Sequence, residues 1–137
     1  MNYILDTTAF SALMCRDDRM RTRMSSLTGV DRVAICTITR GEVLYGLERL
    51  PEGKRRQNLQ AEATTLFDRL VCLPVSEGVG DRYAQIKRET ERKGTSLDEN
   101  DLWIAATVSI SDGVLVTQDS DFSRVDGLRV ENWTQQE

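Results

Sequence analysis

No histidine occurs among the 137 residues. That absence removes the Ser-His-Asp triad, the Cys-His pair, imidazole acid–base catalysis and every His-ligated zinc site. Cysteine is sparse: Cys15, Cys36 and Cys72 are odd in number, far apart and never in a C-x-x-C pair. Neither a disulfide framework nor a zinc knuckle is suggested, so each thiol reads as a small core hydrophobe in a reducing compartment. Aromatic residues make up 6%, too few and scattered to suggest a base-stacking platform. Long hydrophobic runs are missing too. The most apolar stretch, Leu102 to Ile110, is nine residues long and contains Thr107 and Ser109, whereas a membrane span needs about 20. The opening Met1-Asn2-Tyr3-Ile4-Leu5-Asp6 has no basic region and meets an acid at once, unlike a signal peptide. A cytoplasmic protein without membrane contact is expected, and its chemistry must come from carboxylates, hydroxyls, thiols or cations.

What is present fits a soluble globular chain, with 39% hydrophobic and 29% charged residues. At 15.5 kDa, residues 1–137 are expected to form a single domain. Short apolar runs at Tyr3–Leu5, Val33–Cys36, Val71–Val75, Val114–Val116 and Leu128–Val130 read as strands. Between them lie helical patterns over Thr8–Cys15, Asp17–Leu27, Thr39–Leu50, Lys54–Leu70, Gly80–Lys93 and Leu102–Ile110, the third stopped by Pro51 and the fifth by Gly94. The alternation predicts an α/β fold, a parallel sheet covered by helices on both faces. Ligands in such sheets bind beyond the carboxyl ends of the strands.

Several carboxylates stand where that rule looks for a site. Asp6 directly follows the first strand and can be a ligand or the N-cap of the next helix. Glu42 completes Thr39-x-x-Glu42, which is a capping box. Yet Gly41 and Gly46 lie inside the same helix, each costing about 1 kcal/mol against Ala, and such glycines admit close packing or a ligand. Asp101 shares a helical stripe with Ala105 and Val108, so it points inward. Asp98 and Glu99 already serve the helix dipole, Asp98 as the N-cap, so a functional reading of Asp101 is favoured. Asp119 and Asp121 follow the fourth strand in what is otherwise an ordinary polar turn. If the fold reading holds, Asp6, Glu42, Asp101 and Asp119 converge on one sheet edge. Clustered ionised carboxylates require positive charge nearby, and an all-oxygen donor set selects hard cations such as Mg²⁺ or Mn²⁺. Phosphodiester hydrolysis by a metal-activated water follows as the expected chemistry.

Ile4-Leu5-Asp6-Thr7, Gly41-Glu42-Val43-Leu44-Tyr45-Gly46, Asp101-Leu102-Trp103-Ile104-Ala105-Ala106 and Leu115-Val116-Thr117-Gln118-Asp119-Ser120-Asp121-Phe122 resemble the successive motifs of PIN-domain ribonucleases. The ending Arg124 to Trp133 resembles the tail of VapC toxins. The resemblance runs from Tyr3 to Trp133. It implies a PIN-like three-layer α/β/α fold with a central parallel sheet of about five strands in the order 3-2-1-4-5. It also implies Mg²⁺- or Mn²⁺-dependent endoribonuclease activity, neutralisation by a VapB-type antitoxin, and a homodimer. By motif position Asp6, Glu42, Asp101 and Asp119 form the acidic quartet, Asp121 is an accessory metal ligand, and Thr7 and Thr117 supply supporting hydroxyls. Thr8 departs from the small residue that many relatives carry there.

The net charge of −4 is unusual for an RNA binder. Setting the five candidate acids aside leaves 17 acidic against 18 basic residues. Arg16, Arg19, Arg21 and Arg23, then Lys54, Arg55 and Arg56, form basic clusters that read as a phosphate track or as solvated helix faces. Rival Mg²⁺ folds fit less well. A receiver domain needs an acidic pair after the first strand and an Asp ending the third, and a haloacid-dehalogenase phosphatase needs Asp-x-Asp where this chain has Asp6-Thr7-Thr8. A non-enzymatic binding module would have lost one of the acids.

Overall fold

The computed structural model describes residues 1–135; the last two residues of the expected 1–137 domain lie outside them. Five strands form one sheet: β1 (Asn2–Leu5), β2 (Arg32–Cys36), β3 (Val71–Leu73), β4 (Val114–Val116) and β5 (Arg129–Glu131). They lie in the order β3-β2-β1-β4-β5 and all pair in parallel, as the resemblance implied. β1 is central, with Ile4 opposite Ala34 on one side and Leu115 on the other. A parallel central strand is covered on both faces, and Tyr3, Ile4 and Leu5 are all buried.

Alternation along β1 sends successive side chains to opposite faces, and two cores result. Tyr3 and Leu5 join Phe10, Leu13, Met20, Val43, Leu47 and Ala63, contributed by α1 (Thr7–Met14), α2 (Asp18–Ser25), α3 (Thr37–Glu48) and α4 (Lys54–Arg69). Ile4 joins Val79, Ile86, Leu102, Ala105, Val108 and Phe122, from α5 (Glu77–Arg92), α6 (Glu99–Ile110) and the 3₁₀ turn Ser120–Arg124. The sheet is thus sandwiched between two helical layers.

Most element boundaries differ from expectation by a residue or two, and two helices, α5 and α6, start three residues early. α3 begins at Thr37 rather than Thr39, which leaves Thr39 inside the helix with its hydroxyl 3.7 Å from Cys36 Sγ. α5 begins at Glu77 rather than Gly80, because the Ser76 hydroxyl accepts from Val79 N–H and starts the helix early. α6 begins at Glu99 rather than Leu102. Gly94, at φ +68°, does end the α5 region in the left-handed conformation that suits glycine. Of the cysteines only Cys36 is buried; Cys15 and Cys72 are exposed, contrary to the expectation of three core thiols, and all three are free. Cys72 sits on the outer strand β3, with no strand beyond to cover it. No helix among the described residues is long and apolar enough to cross a membrane.

Candidate active site

The carboxyl edge of the sheet gathers the acids. Asp6 follows β1 and stays in its ladder, donating its N–H to Val116 O (3.0 Å). Its side chain is buried and carries three hydrogen bonds. Oδ1 accepts from Ala9 N–H (2.9 Å) and from the Thr8 hydroxyl (2.7 Å), and Oδ2 accepts from the Thr117 hydroxyl. Asp6 is therefore the N-cap of α1 while lying at the mouth of the sheet. Burial nevertheless raises its pKa, outweighing the hydrogen bonds from Thr117, Ala9 and Thr8 that pull it down.

Thr117 ends β4 beside β1 and is buried. Its hydroxyl also accepts from Asp119 N–H (2.9 Å), so it joins two of the expected site acids. Thr8 has a similar part that the sequence reading did not assign: besides bonding Asp6, its hydroxyl accepts from Gln118 N–H (3.0 Å). The signal available was a Thr two residues after an Asp, a common local turn pattern.

Glu42 does not close a capping box, since Thr39 is buried within α3 instead of preceding it. Its carboxylate is held from two other helices. Oε1 accepts from the Thr7 hydroxyl on α1 (2.6 Å), and Oε2 accepts from the Asn100 amide on α6 (3.4 Å). Thr7 therefore supports Glu42, as Thr117 supports Asp6.

Asp101 lies in the first turn of α6, half-buried, above the buried Ala105 and Val108. No described hydrogen bond or ion pair reaches its side chain. Burial, then repulsion from Asp119, Glu42, Asp98 and Asp6, pushes its pKa up to about 6. Asp98 occupies the N-cap position of α6, as expected, but its side chain makes no capping bond.

Asp119 caps the 3₁₀ turn through Asp121 N–H (2.8 Å). Asp121, by contrast, pairs with Arg124 at 3.1 Å on the surface. The first basic cluster is mostly engaged within the fold, and the second through Arg56. Arg16 binds Glu62 at 2.6 Å, Arg19 donates to Thr134 O, Arg23 lies over Trp133, and Arg56 meets Glu48 at 3.3 Å. The aromatics are less scattered than the sequence suggests: Tyr83 and Trp103 stack at 3.9 Å, Phe10 on Phe67 at 5.1 Å.

The donor chemistry at the sheet edge suits a hard divalent cation. Every group is an oxygen donor, and no Lys or Arg among the described residues forms an ion pair with Asp6, Glu42, Asp101 or Asp119. Among the described residues no three acidic or thiol side chains already surround one point, and the hydrogen bonds above show why. The oxygens of Asp6 and Glu42 are turned to Thr, amide and backbone donors. Each such oxygen retains lone pairs, so bonding to a hydroxyl and ligating a cation are compatible.

Comparison with known proteins bears on the family and the fold. Residues 3–128 match the PIN domain family model. The chain is 28% identical over 135 residues to Ribonuclease VapC2 of Rickettsia felis, covering 97% of this chain and 98% of that one. It is 30% identical over 135 residues to the tRNA(fMet)-specific endonuclease VapC of Salmonella typhimurium, with the same coverage. Its fold superposes with a TM-score of 0.88 on a chain of VapBC2 from Rickettsia felis bound to a DNA fragment from their promoter, at 27% identity, covering 97% of this chain and 99% of that one.

Proposed function

The chain belongs to the PIN-domain family, among its VapC relatives, and from that membership we propose that it is a metal-dependent endoribonuclease toxin. The observation that carries this reading is Asp101, a half-buried carboxylate with no cationic partner among the described residues, whose proton affinity is raised first by burial and then by repulsion from Asp119, Glu42, Asp98 and Asp6. A cluster of like charges that the fold holds together is unfavourable until a cation arrives.

Asp6, Glu42, Asp101 and Asp119 are the residues that would hold Mg²⁺ or Mn²⁺; Asp121, paired with Arg124, would contribute only by leaving that partner. The cation would supply a lowered water pKa and charge stabilisation at the phosphoryl oxygens. The chain's own part is orientation. Thr117 and Thr8 fix the rotamer of Asp6, and Thr7 and Asn100 fix that of Glu42. Asp101, with no hydrogen-bond donor to satisfy it, is the carboxylate best placed to accept a proton from the attacking water.

The same reading includes a VapB-type antitoxin that covers the acids with a basic side chain, a cytoplasmic location and a homodimer. Exposed Val71 on the outer strand β3, Val75 just after it, and Ile110, the last residue of α6 beside Gly78, offer apolar surface for the dimer contact. The decisive experiment incubates the purified chain with a mixed RNA pool in Mg²⁺, Mn²⁺ or EDTA and maps the cleaved ends. Metal-dependent products with 5′-phosphate and 3′-hydroxyl ends are expected. Full activity in EDTA, or 2′,3′-cyclic phosphate ends, rules the mechanism out.

A further inference from the structure

Glycine inside α3 has no packing explanation. A Cβ built at Gly41 would have no neighbour within 4 Å, so no close helix contact demands its absence. Glycine is nonetheless a poor helix residue, which leaves open space as the feature it provides. Thr37, Gly41 and Tyr45 are spaced i, i+4, i+8 and share one face of the helix. Helical side chains lean toward the N-terminus, so the Tyr45 ring leans toward the gap over Gly41. Tyr45 is 64% exposed, and the Arg49 guanidinium stands 5.5 Å from its ring centroid. Thr37, Ile38, Gly41, Glu42 and Tyr45 of α3, with Asn100 of α6, line an open recess of about 310 Å³.

We propose that this recess is the subsite for one nucleobase of the RNA, next to the scissile phosphate and stacked on Tyr45. The proposal rests on the nuclease reading for its substrate and extends it to substrate selection. Glu42 belongs to both the recess and the acidic cluster, so a nucleotide with its base here carries its phosphate toward Asp101. Every base has a π-face that an exposed ring can stack upon. The recess also presents polar atoms for a base edge. Asn100 gives one amide hydrogen to Glu42 and keeps a second hydrogen and its carbonyl oxygen. The Thr37 hydroxyl donates to Leu73 O at 3.1 Å and retains lone pairs to accept. A flat group with donors and acceptors on its rim fits this lining; a bulky aliphatic side chain would leave those polar atoms unpaired.

The test separates binding from cleavage. Single-stranded hexaribonucleotides of each base are titrated in EDTA against Asp101→Asn, with Tyr45→Ala added in a second protein, and backbone amides are followed by NMR. Shifts should concentrate at Gly41, Tyr45 and Asn100, and Tyr45→Ala should weaken binding about tenfold. A hexamer with an abasic position at the contacted nucleotide should bind both proteins equally weakly. In the otherwise wild-type chain with Mg²⁺ or Mn²⁺, Gly41→Leu should melt a few degrees higher, because a strong helix former replaces glycine. The same change should raise KM by about tenfold and alter the preferred sequence, an outcome that a purely structural glycine would not produce. Hexamer binding that ignores Tyr45, or cleavage unchanged by both Tyr45→Ala and Gly41→Leu, overturns the subsite while leaving the nuclease reading intact. Binding at the recess without any metal-dependent cleavage overturns the nuclease reading and leaves the subsite standing.

Discussion

A carboxylate can serve the fold and the site at once, and the two uses respond differently to substitution. Asp6 caps α1 through Ala9 N–H and binds two hydroxyls, so Asp6→Ala removes a cap as well as a candidate ligand. It should cost about 1 kcal/mol of stability in addition to activity. Asp101 has no hydrogen bond to lose, and its pKa stands near 6 instead of its ordinary 3.8 because of burial and its acidic neighbours. Raised in the folded state, it makes the metal-free fold bind more protons than the unfolded chain between these values. Its neutral form is tolerated below about pH 3.8, and stability declines as pH rises toward and through 6. Asp6, also raised by burial, adds to the same slope. We expect Asp101→Asn in EDTA to melt at or above wild type at pH 7 and to flatten that decline, while abolishing cleavage and gaining less from Mn²⁺. Thermal melts of both proteins from pH 4 to 8, with EDTA and with metal, measure this. A variant that melts well below wild type in EDTA would show Asp101 to be a structural residue.

At the scale of elements, the periodic parts of the chain are those that sequence renders legible. Apolar spacing and the strand–helix alternation suffice for the sheet and both helical layers, because burial of a stripe or a strand face dictates them. Starts are harder, since one hydroxyl decides them: Ser76 begins α5 three residues before its apolar pattern. The acids at strand ends were legible for the same reason as the strands. The hydroxyl and amide holding them were legible in part, Thr7 and Thr117 by motif position, Thr8 and Asn100 not at all. Their roles depend on α1, α3 and α6 meeting, which no local pattern encodes. The glycines illustrate the same limit. Gly46 and Gly113 look alike in sequence, yet nothing lies within 4 Å of a Cβ at Gly46, whereas one at Gly113 would overlap Ile4 Cδ1 and come within 3.0 Å of Asn2 O. Gly46→Ala should therefore stabilise the protein by about 0.5–1 kcal/mol. Gly113→Ala should destabilise it by about 1–3 kcal/mol through overpacking against β1. Urea unfolding of the two variants checks both signs; a stabilising Gly113→Ala contradicts the close approach of that loop to the central strand.

For the whole molecule, the charge balance leaves the sheet edge without a cation: among the described residues no Lys or Arg forms an ion pair with Asp6, Glu42, Asp101 or Asp119. The formal net charge is −4, yet without the five expected site acids 17 acidic residues face 18 basic ones. Arg16, Arg23 and Arg56 pair with Glu62, Glu131 and Glu48 away from that edge, and Arg124 pairs with Asp121. Two kinds of visitor can therefore relieve the edge, a divalent cation or the basic side chain of a covering partner, and both need the same carboxylates. Competition for a shared site is reciprocal: whatever the metal takes from the partner's affinity, the partner takes from the metal's. If the product of the adjacent reading frame inserts a basic residue among Asp6, Glu42, Asp101 and Asp119, its apparent Kd should rise about tenfold when Mn²⁺ is present at ten times its own dissociation constant. Calorimetric titration of the chain with that protein, in EDTA and at graded Mn²⁺, reads the effect directly. Asp101→Asn should weaken both ligands and flatten the dependence, since the charge for which they compete is partly gone. Were the partner to bind equally tightly at every Mn²⁺ concentration while still stopping RNA cleavage, it would act by blocking the approach of RNA and would leave the acids to the metal.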